Sequence, residues 1–387
     1  MSHRRLCFIQ DVGLVMMHGR VTISAAMIVK NEARFLPGCL DSLAGRVDEI
    51  VVVDTGSTDG TIEIAEQAGV HLLHQAWRGD FAGPRNFGLD HVRTGWVLYI
   101  DADERLGLPR GGRLADYIDP VAVAGFVRFR PKTNFTRYRE WRLFRADRRI
   151  RFAGMIHETA VPAIKAVGRL EGWPVVQTDV EIDHLGYDGD ISHKHPRNLA
   201  LLEQALPGDP DRLFYWHHLA ETYAGLGRWE EAEKAARQGL ERTEGQDDDN
   251  RSATASLLHQ FLVRSELRQG RDPTGLIASA LAREPDDYAL HFLKGHALLA
   301  IGQAEEALEV AQLLRGIDPD RLPDGWLAFD RALFADKACE LAALACLDLG
   351  RHTEAGGYFA EASRLAPGVL AYRVKAAAFG GIVPVDQ

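Results

Sequence analysis

The most informative segment of the sequence is Trp96-Val-Leu-Tyr-Ile-Asp-Ala-Asp-Glu104, a short apolar run that leads directly into two aspartates separated by one residue. In open α/β sheets, ligands bind beyond the carboxyl ends of the strands. Carboxylates at that place suit Mg²⁺ or Mn²⁺, which bind diphosphates through one or two carboxylates and retain water ligands. An isolated Asp-x-Asp sequence is common, so the prediction of such a site needs further support from the chain.

A second apolar strand ends in the same way, in Val51-Val-Val-Asp-Thr-Gly-Ser-Thr-Asp-Gly-Thr61. Asp54 could accept a hydrogen bond from a base N–H or a ribose hydroxyl. The alternative is a plain strand-to-helix turn whose polar residues cap the next helix. We interpret Asp59 and Thr61 mainly as capping residues and Asp54 as a ligand-binding group.

Strands and helices alternate through the first third of the chain. Apolar patterning predicts strands at 21–29, 49–53, 71–74 and 96–100, and helices at 30–43, 62–68 and 85–92. This order predicts a parallel sheet with helices on both faces. Longer alternating segments at 125–130, 140–145 and 149–153 indicate an antiparallel addition to that sheet.

The second half is helical and repetitive. Trp216-x-x-Leu-Ala-x-x-Tyr223 followed by Gly227 and Ala232 has the spacing of a tetratricopeptide unit. Further turn glycines recur at intervals of 43, 32 and 48 residues; they are Gly270, Gly302 and Gly350. We therefore expect an N-terminal extension at 1–20, an α/β domain at 21–195 and an all-α tetratricopeptide-like repeat domain at 196–387.

Composition narrows the class of protein. The chain has 387 residues, 46% of them hydrophobic, and a net charge of −10 that arises entirely after residue 195. An acidic half gives no electrostatic attraction to nucleic acid, although it could attract a basic protein partner. No apolar run approaches the roughly 20 residues of a transmembrane helix, and the four cysteines suggest no metal pair or disulfide. We expect a cytoplasmic protein.

Taken together, these motifs resemble the family 2 glycosyltransferases of the GT-A (Rossmann-like) fold. The matching runs are 27–32, 51–59, 80–86 and 98–104. Further matches indicate the subset with tetratricopeptide repeats behind the catalytic domain, near the sublancin-type peptide S-glycosyltransferases. These are Arg142–Arg145, Gly154–Glu158, His184–Tyr187 and the run Lys194-x-x-Arg-Asn198.

The resemblance implies a role for each matching residue. Asp54 would bind the base, usually uracil, and Asp103 would bind a divalent metal, Mg²⁺ or Mn²⁺, with Asp101 and His184 as further ligands. The residues implied for nucleotide-sugar binding are Val29, Asn31, Glu32, Asp54, Arg85, Asp101 and Ala102. His184 could instead be a structural histidine at the domain junction.

Inverting transfer also needs a base on the acceptor side of the sugar. Our candidate is Glu158; His157 is the nearest competitor, and an ordinary salt-bridged glutamate is the alternative. The arginine-rich segment 126–151 could form solvated strand faces, or could place Arg142 or Arg145 against a diphosphate or an anionic acceptor.

We therefore expect an inverting, metal-dependent transfer of a sugar from a nucleotide sugar, most simply a UDP-sugar. The acceptor would be a peptide, protein or saccharide, and the repeats would offer a surface for a protein partner. The alternative is a non-catalytic nucleotide-binding scaffold for protein–protein interaction. A sugar nucleotidyltransferase is disfavoured because its basic, glycine-rich nucleotide loop is absent from the sequence.

Overall fold

A computed structural model describes residues 20–186, 195–243 and 249–381, with the side chains of 249–251 excepted. The expected extension at 1–20, apart from Arg20, and the motif residues Tyr187 and Lys194 lie outside the described residues.

The N-terminal domain is built on an eight-stranded sheet, counted over the described residues, with the order β3-β2-β1-β4-β7-β6-β8-β5. Its strands are β1 (Ile23–Val29), β2 (Glu49–Asp54), β3 (His71–His74), β4 (Trp96–Tyr99), β5 (Glu104–Gly107), β6 (Ala124–Arg130), β7 (Tyr138–Arg145) and β8 (Val175–His184). Strands β1 to β4 are parallel, whereas β7 runs antiparallel to both β4 and β6. This confirms the predicted parallel sheet with an antiparallel addition.

Helices cover both faces of the sheet because the buried strands are apolar on both sides. They are α1 (Leu36–Leu43), α2 (Thr61–Gln67), α3 (Ala82–Asp90) and α4 (Val161–Glu171). On β4, Leu98 packs in the core that includes α1, while its neighbour Val97 packs in the core that includes α3 and α4. The strand alternation thus fixes which residues face each layer.

Several predicted elements of this domain were wrong. The helix expected at 30–43 begins only at Leu36, with Pro37 in its first turn, because the preceding residues form a turn that is bonded to the β2 turn. Segment 149–153 is not a strand; only Ala153 pairs, in an isolated bridge with Thr159. Strand β8 and helix α4 were missed, although exposed or half-buried residues alternate with buried ones in β8 from Gln177 to His184.

The remainder of the chain is a stack of helices. They are α5 (His195–Ala205), α6 (Leu213–Gly225), α7 (Trp229–Glu241), α8 (Asp249–Arg268), α9 (Thr274–Arg283), α10 (Tyr288–Ala300), α11 (Ala304–Arg315), α12 (Asp336–Asp348), α13 (His352–Leu365) and α14 (Leu370–Ala378). Gly227, Gly302 and Gly350 occupy the turns between paired helices with φ of 78°, 77° and 72°, a conformation that favours glycine. This confirms the all-α tetratricopeptide-like repeat domain.

The longest glycine interval contains an insertion that contacts the sheet. Residues 316–335 lie between α11 and α12, and Thr136 of the β6–β7 hairpin donates its backbone N–H to the Phe329 carbonyl at 2.8 Å. Arg128 of β6 also pairs with Asp324 at 2.7 Å. The repeats therefore contact the α/β domain far from the point where the chain enters them.

Across the described residues, no helix combines the length and the apolar composition needed to cross a membrane.

Candidate functional site

The predicted acidic groups follow neighbouring strands at one edge of the sheet. Strand β1 lies between β2 and β4, and Val29 at its end pairs in register with Asp54 at the end of β2. Ile100, directly after β4, donates its N–H to the Ala26 carbonyl of β1. Because all three strands are parallel, the turns that contain Asn31, Asp54 and Asp101 emerge at the same edge.

The turns after β1 and β2 are hydrogen-bonded to each other. Asn31 has a left-handed backbone (φ 58°), and its side-chain oxygen accepts the Thr58 N–H at 2.7 Å. The Glu32 N–H donates to the Thr61 hydroxyl at 2.8 Å, and Asp59 accepts the Thr61 N–H at 3.0 Å. Asp59 and Thr61 therefore act in the local turn, as interpreted from the sequence.

Asp54 is 4% exposed, and its position is fixed by its own turn. Its carboxylate accepts the N–H groups of Gly56 at 2.9 Å and Ser57 at 3.2 Å. Gly56 has a φ of 107°, which a residue with a Cβ rarely adopts. A carboxylate offers about four lone-pair positions, so these bonds leave acceptor capacity on Asp54 for a ligand.

Arg85 joins two of the predicted site carboxylates. Its Nη2 donates to Asp101 at 2.8 Å, and its Nε donates to Glu158. The guanidinium lies between the rings of Tyr99 and Phe152, at 5.2 and 5.6 Å. Its side chain is 9% exposed. Glu158 is therefore a salt-bridged glutamate, and its partner is the arginine that also binds Asp101.

The charges around Arg85 set its ionisation and that of Asp101. Burial disfavours the charged guanidinium, but the two carboxylates outweigh this and raise the pKa of Arg85. Burial likewise disfavours ionised Asp101, yet the cations Arg85 and Arg142 lower its pKa below the ordinary value of 3.8. Asp101 is thus held as a carboxylate. The remaining nitrogen of Arg85, Nη1, is buried without a hydrogen-bond partner among the described residues.

Glu104 forms a second layer beneath this edge that the sequence analysis missed. It is 1% exposed, accepts the Asp101 N–H at 2.9 Å and pairs with Arg142 at 2.8 Å. Burial raises its pKa to about 7, against the opposing charge of Arg142. The acidic run after β4 contained the relevant signal, since Glu104 follows the two aspartates directly.

One interpretation of the arginine-rich segment placed Arg142 or Arg145 against a diphosphate or an anionic acceptor. The structure does not support that interpretation. Arg142 is buried between the rings of Tyr99 and Phe129, at 4.3 and 4.8 Å. Arg145 pairs in register with Trp96 at the start of β4, at the opposite end of that strand from the acidic turn. It donates to the carbonyl of Ala122 at 2.7 Å. The prediction that Arg145 lies at the site is therefore wrong.

Asp103 and His184 are brought together from distant parts of the chain. His184 Nε2 lies 3.1 Å from Asp103 Oδ2, and its Nδ1 lies 3.0 Å from the Pro131 carbonyl oxygen. Burial lowers the pKa of His184, but the Asp103 carboxylate outweighs this and raises it above 6.5. Gly186 is packed so closely that a Cβ there would lie 1.8 Å from Asp103 Oδ2.

This pair of side chains fits a divalent cation in part. Adjacent ligands of an octahedral Mg²⁺, each at about 2.1 Å from the ion, are about 3 Å apart, which is the separation found here. Over the residues described, however, no group of three or more His, Cys, Asp or Glu side chains is arranged to hold a metal ion. The pair supplies only two ligands, so a cation bound here would take its other ligands from water or substrate oxygens.

The loop before Glu158 contacts the repeat domain. Ile156 is packed in the apolar core formed by helices α5 to α8. The His157 ring is stacked on His218 of α6 with a centroid distance of 3.7 Å. Burial lowers the pKa of His157 to about 3, so its ring is neutral and committed to the domain junction. His217 beside it has its pKa lowered to about 4 in the same way.

Comparisons with known proteins agree with this architecture. Residues 24–169 match the family model described as Glycosyl transferase family 2. This part of the chain is a family 2 glycosyltransferase domain, as its motifs predicted.

Two relatives extend the similarity beyond that domain. The chain is 34% identical over 232 residues to a TPR repeat-containing protein of Synechococcus elongatus, with 57% of each chain covered. It is 27% identical over 212 residues to the glycosyltransferase SunS of Bacillus subtilis, covering 50% of this chain and 48% of that one. The chain thus spans about half the length of the curated relatives it matches.

A third relative and one solved structure are also similar to this chain. The lipopolysaccharide core biosynthesis glycosyltransferase LpsC of Rhizobium meliloti is 41% identical over 92 residues, 22% of this chain and 33% of that one. The crystal structure of residues 1–349 of S. aureus TarS covers 65% of this chain and 92% of that one, at 16% identity and a TM-score of 0.36.

Proposed function

We propose that this protein is an inverting, metal-dependent glycosyltransferase that uses a nucleotide sugar, most simply a UDP-sugar. The observation that supports this most strongly is the arrangement around Arg85. One buried guanidinium binds both Asp101, beside the predicted donor site, and Glu158, the predicted base. Within a family 2 glycosyltransferase domain, this arrangement sets the two proposed working carboxylates on either side of one fixed cation.

On the donor side, Asp54 would bind the base, and the backbone around Val29 and Asn31 would flank it. The free acceptor capacity of Asp54 suits a base N–H. The partnerless Nη1 of Arg85 is a buried donor that suits an oxygen of the nucleotide. Glu32 and Ala102 would line the same pocket, with the Glu32 backbone N–H committed to the Thr61 hydroxyl.

Asp103 and His184 would contribute two ligands to the divalent metal, Mg²⁺ or Mn²⁺, whereas Asp101, the third ligand that the resemblance implies, is bound to Arg85. Such a cation, when bound, neutralises the charge that develops on the leaving diphosphate, an effect worth several kcal/mol in the transition state. The contribution of the chain is to hold Asp103 in place, through Gly186 on one side and the His184 ring on the other.

Glu158 would take the proton of the acceptor. General-base catalysis of this kind typically contributes about 10²–10⁴-fold. His157 is the weaker candidate because its ring is stacked against His218 at the domain junction. The acceptor would be a peptide, protein or saccharide. A helical-repeat surface beside the site would suit a peptide or protein, and the name of the relative LpsC refers to the lipopolysaccharide core.

The test is release of UDP from a panel of UDP-sugars, with and without Mg²⁺ or Mn²⁺, by the full chain and by an Asp103→Asn variant. We expect metal-dependent hydrolysis by the wild type and a loss of at least 100-fold in the variant. Arg149→Ala, a change in an exposed ion pair, serves as a control that should keep full activity.

Full hydrolysis without divalent metal would refute the proposed metal site. Tight UDP binding without turnover of any sugar would instead favour the nucleotide-binding scaffold.

A further inference from the structure

The loop that ends in Glu158 is formed by both domains. Ala153 and Thr159 close it by two mutual backbone hydrogen bonds, each 3.0 Å long. We call residues 154–158, which lie between them, the junction loop. Its Ile156 side chain is buried in the repeat core, whereas the Glu158 carboxylate points back to Arg85 in the family 2 domain.

Arg212, the residue just before α6, reaches the junction loop from the repeat domain. Its Nη2 donates to the His157 carbonyl, and its Nη1 donates to the Tyr215 hydroxyl at 2.9 Å. The guanidinium also lies 4.5 Å from the centroid of the Tyr215 ring. Arg212 is therefore held in place by the first repeat and, at the same time, bonds to the residue next to Glu158.

The backbone of the junction loop is shaped for this contact. Gly154 has a φ of 110°, and a Cβ there would lie 2.6 Å from both Arg212 Nη1 and the Tyr215 hydroxyl. His157 has a φ of 51°, which is uncommon for a residue with a Cβ. Such conformations persist where the surrounding contacts over-determine them, and here Arg212 and the His218 ring supply those contacts.

We propose that Arg212 of the repeat domain is a positioning residue for Glu158, so that the site of transfer is completed only when the repeats are docked. This inference rests on the proposed function, in which Glu158 is the base. A continuous series of contacts supports it: Arg212 binds the His157 carbonyl, the next residue is Glu158, and Glu158 is bound by Arg85. Loss of the first contact frees the backbone that sets the position of the carboxylate.

The experiment compares Arg212→Ala and Arg212→Lys with a matched control, Arg228→Ala. Arg228 also lies 4.5 Å from a tyrosine ring of the first repeat, that of Tyr223, but its ion pair is with Glu231 of the same repeat. Two measurements are made on the full chain. One is the kcat and KM of UDP-sugar hydrolysis, and the other is hydrogen exchange at the amides of Ala153 and Thr159.

For Arg212→Ala we expect kcat to fall about 10- to 100-fold, because small misplacements of a reacting group have effects of this size. The KM for the UDP-sugar should stay within twofold, since the proposed donor-binding groups are not changed. Exchange at the two amides should accelerate at least tenfold. Arg212→Lys should recover part of both effects, because an ammonium group can still donate to the carbonyl. Arg228→Ala should match the wild type.

Unchanged exchange in Arg212→Ala would overturn the proposal, and so would faster exchange with an unchanged kcat. Equal losses in Arg212→Ala and Arg228→Ala would also overturn it, since they would indicate general damage to the repeat. A wild type that hydrolyses no UDP-sugar would refute the proposed function. In that case faster exchange would still establish that Arg212 holds the junction loop.

Discussion

Replacing Arg85 by glutamine should destabilise the protein more than any exposed arginine substitution. The change removes a buried cation that binds both Asp101 and Glu158. A hydrogen bond to a charged group is worth about 1.5–3 kcal/mol, and breaking one side of a buried ion pair costs about 3–5 kcal/mol. We therefore expect a loss of about 4 kcal/mol in the free energy of unfolding.

Arg149 provides a matched control because it also binds two carboxylates, Asp147 and Glu171, each at 2.6 Å. Its side chain is 45% exposed, against 9% for Arg85. Exposed ion pairs contribute about 0–1 kcal/mol. Arg149→Gln should therefore lower the free energy of unfolding by less than about 1 kcal/mol, although both arginines make the same number of ion pairs.

The assay is urea denaturation at pH 7.5 of Arg85→Gln, Glu158→Gln and the double variant. At this pH the contribution of Asp101 is complete. Its folded pKa lies below 3.8, so its stabilising effect is present above that pH and is lost only as the pH falls through the folded pKa. The double variant should be about 2 kcal/mol more stable than the two single effects predict when added, because the residues are in contact.

Additive effects would show that the Arg85–Glu158 contact contributes nothing. Equal losses for Arg85→Gln and Arg149→Gln would refute the argument from burial.

Two further predictions concern the domain junction and the aspartate turn. Burial keeps His157, His217 and His218 at the junction neutral in the folded protein. The free energy of unfolding should therefore fall as the pH drops below 6.5, by about 1.4 kcal/mol per pH unit for each of these histidines. Substituting His218→Phe should reduce that slope by one such increment in urea titrations between pH 6.5 and 4.5, and an unchanged slope would contradict it. Gly186→Ala should displace Asp103 and reduce metal-dependent UDP release at least tenfold. Gly208→Ala, at a position with open space around it, should leave UDP release unchanged. Equal activity of the two variants would contradict the predicted clash between a Cβ at position 186 and Asp103.

Local sequence patterns were sufficient for the class of the fold. Strands β1, β2 and β4 are short, mainly apolar runs that lead into polar turns, and the turn glycines of the repeats have a left-handed backbone. Both signals arise from interactions within about ten residues. The acidic groups after β2 and β4 could likewise be assigned to one edge, because parallel neighbours in a sheet end at the same side.

The side chains that bind those groups could not be predicted from the sequence. Nothing local to Glu158 indicates that Arg85 will bind it, or that Arg212 will bind its neighbour from a different domain. Segment 149–153 was predicted as a strand on its apolar residues, and Ile150 and Phe152 are indeed buried in the core that includes α3 and α4. The Phe152 backbone, however, exchanges hydrogen bonds with the Asn86 side chain and not with a neighbouring strand.

The kind of domains and the edge of the sheet at which the acidic residues lie could be predicted from local patterns, since both follow from short-range backbone preferences. Which charged side chains pair with each other depends on the packing of distant elements. Strand β8 places His184 against Asp103, and the first repeat places Arg212 against the loop of Glu158. Such pairs depend on how whole elements pack, and a buried charge is stable only where that packing supplies its partner.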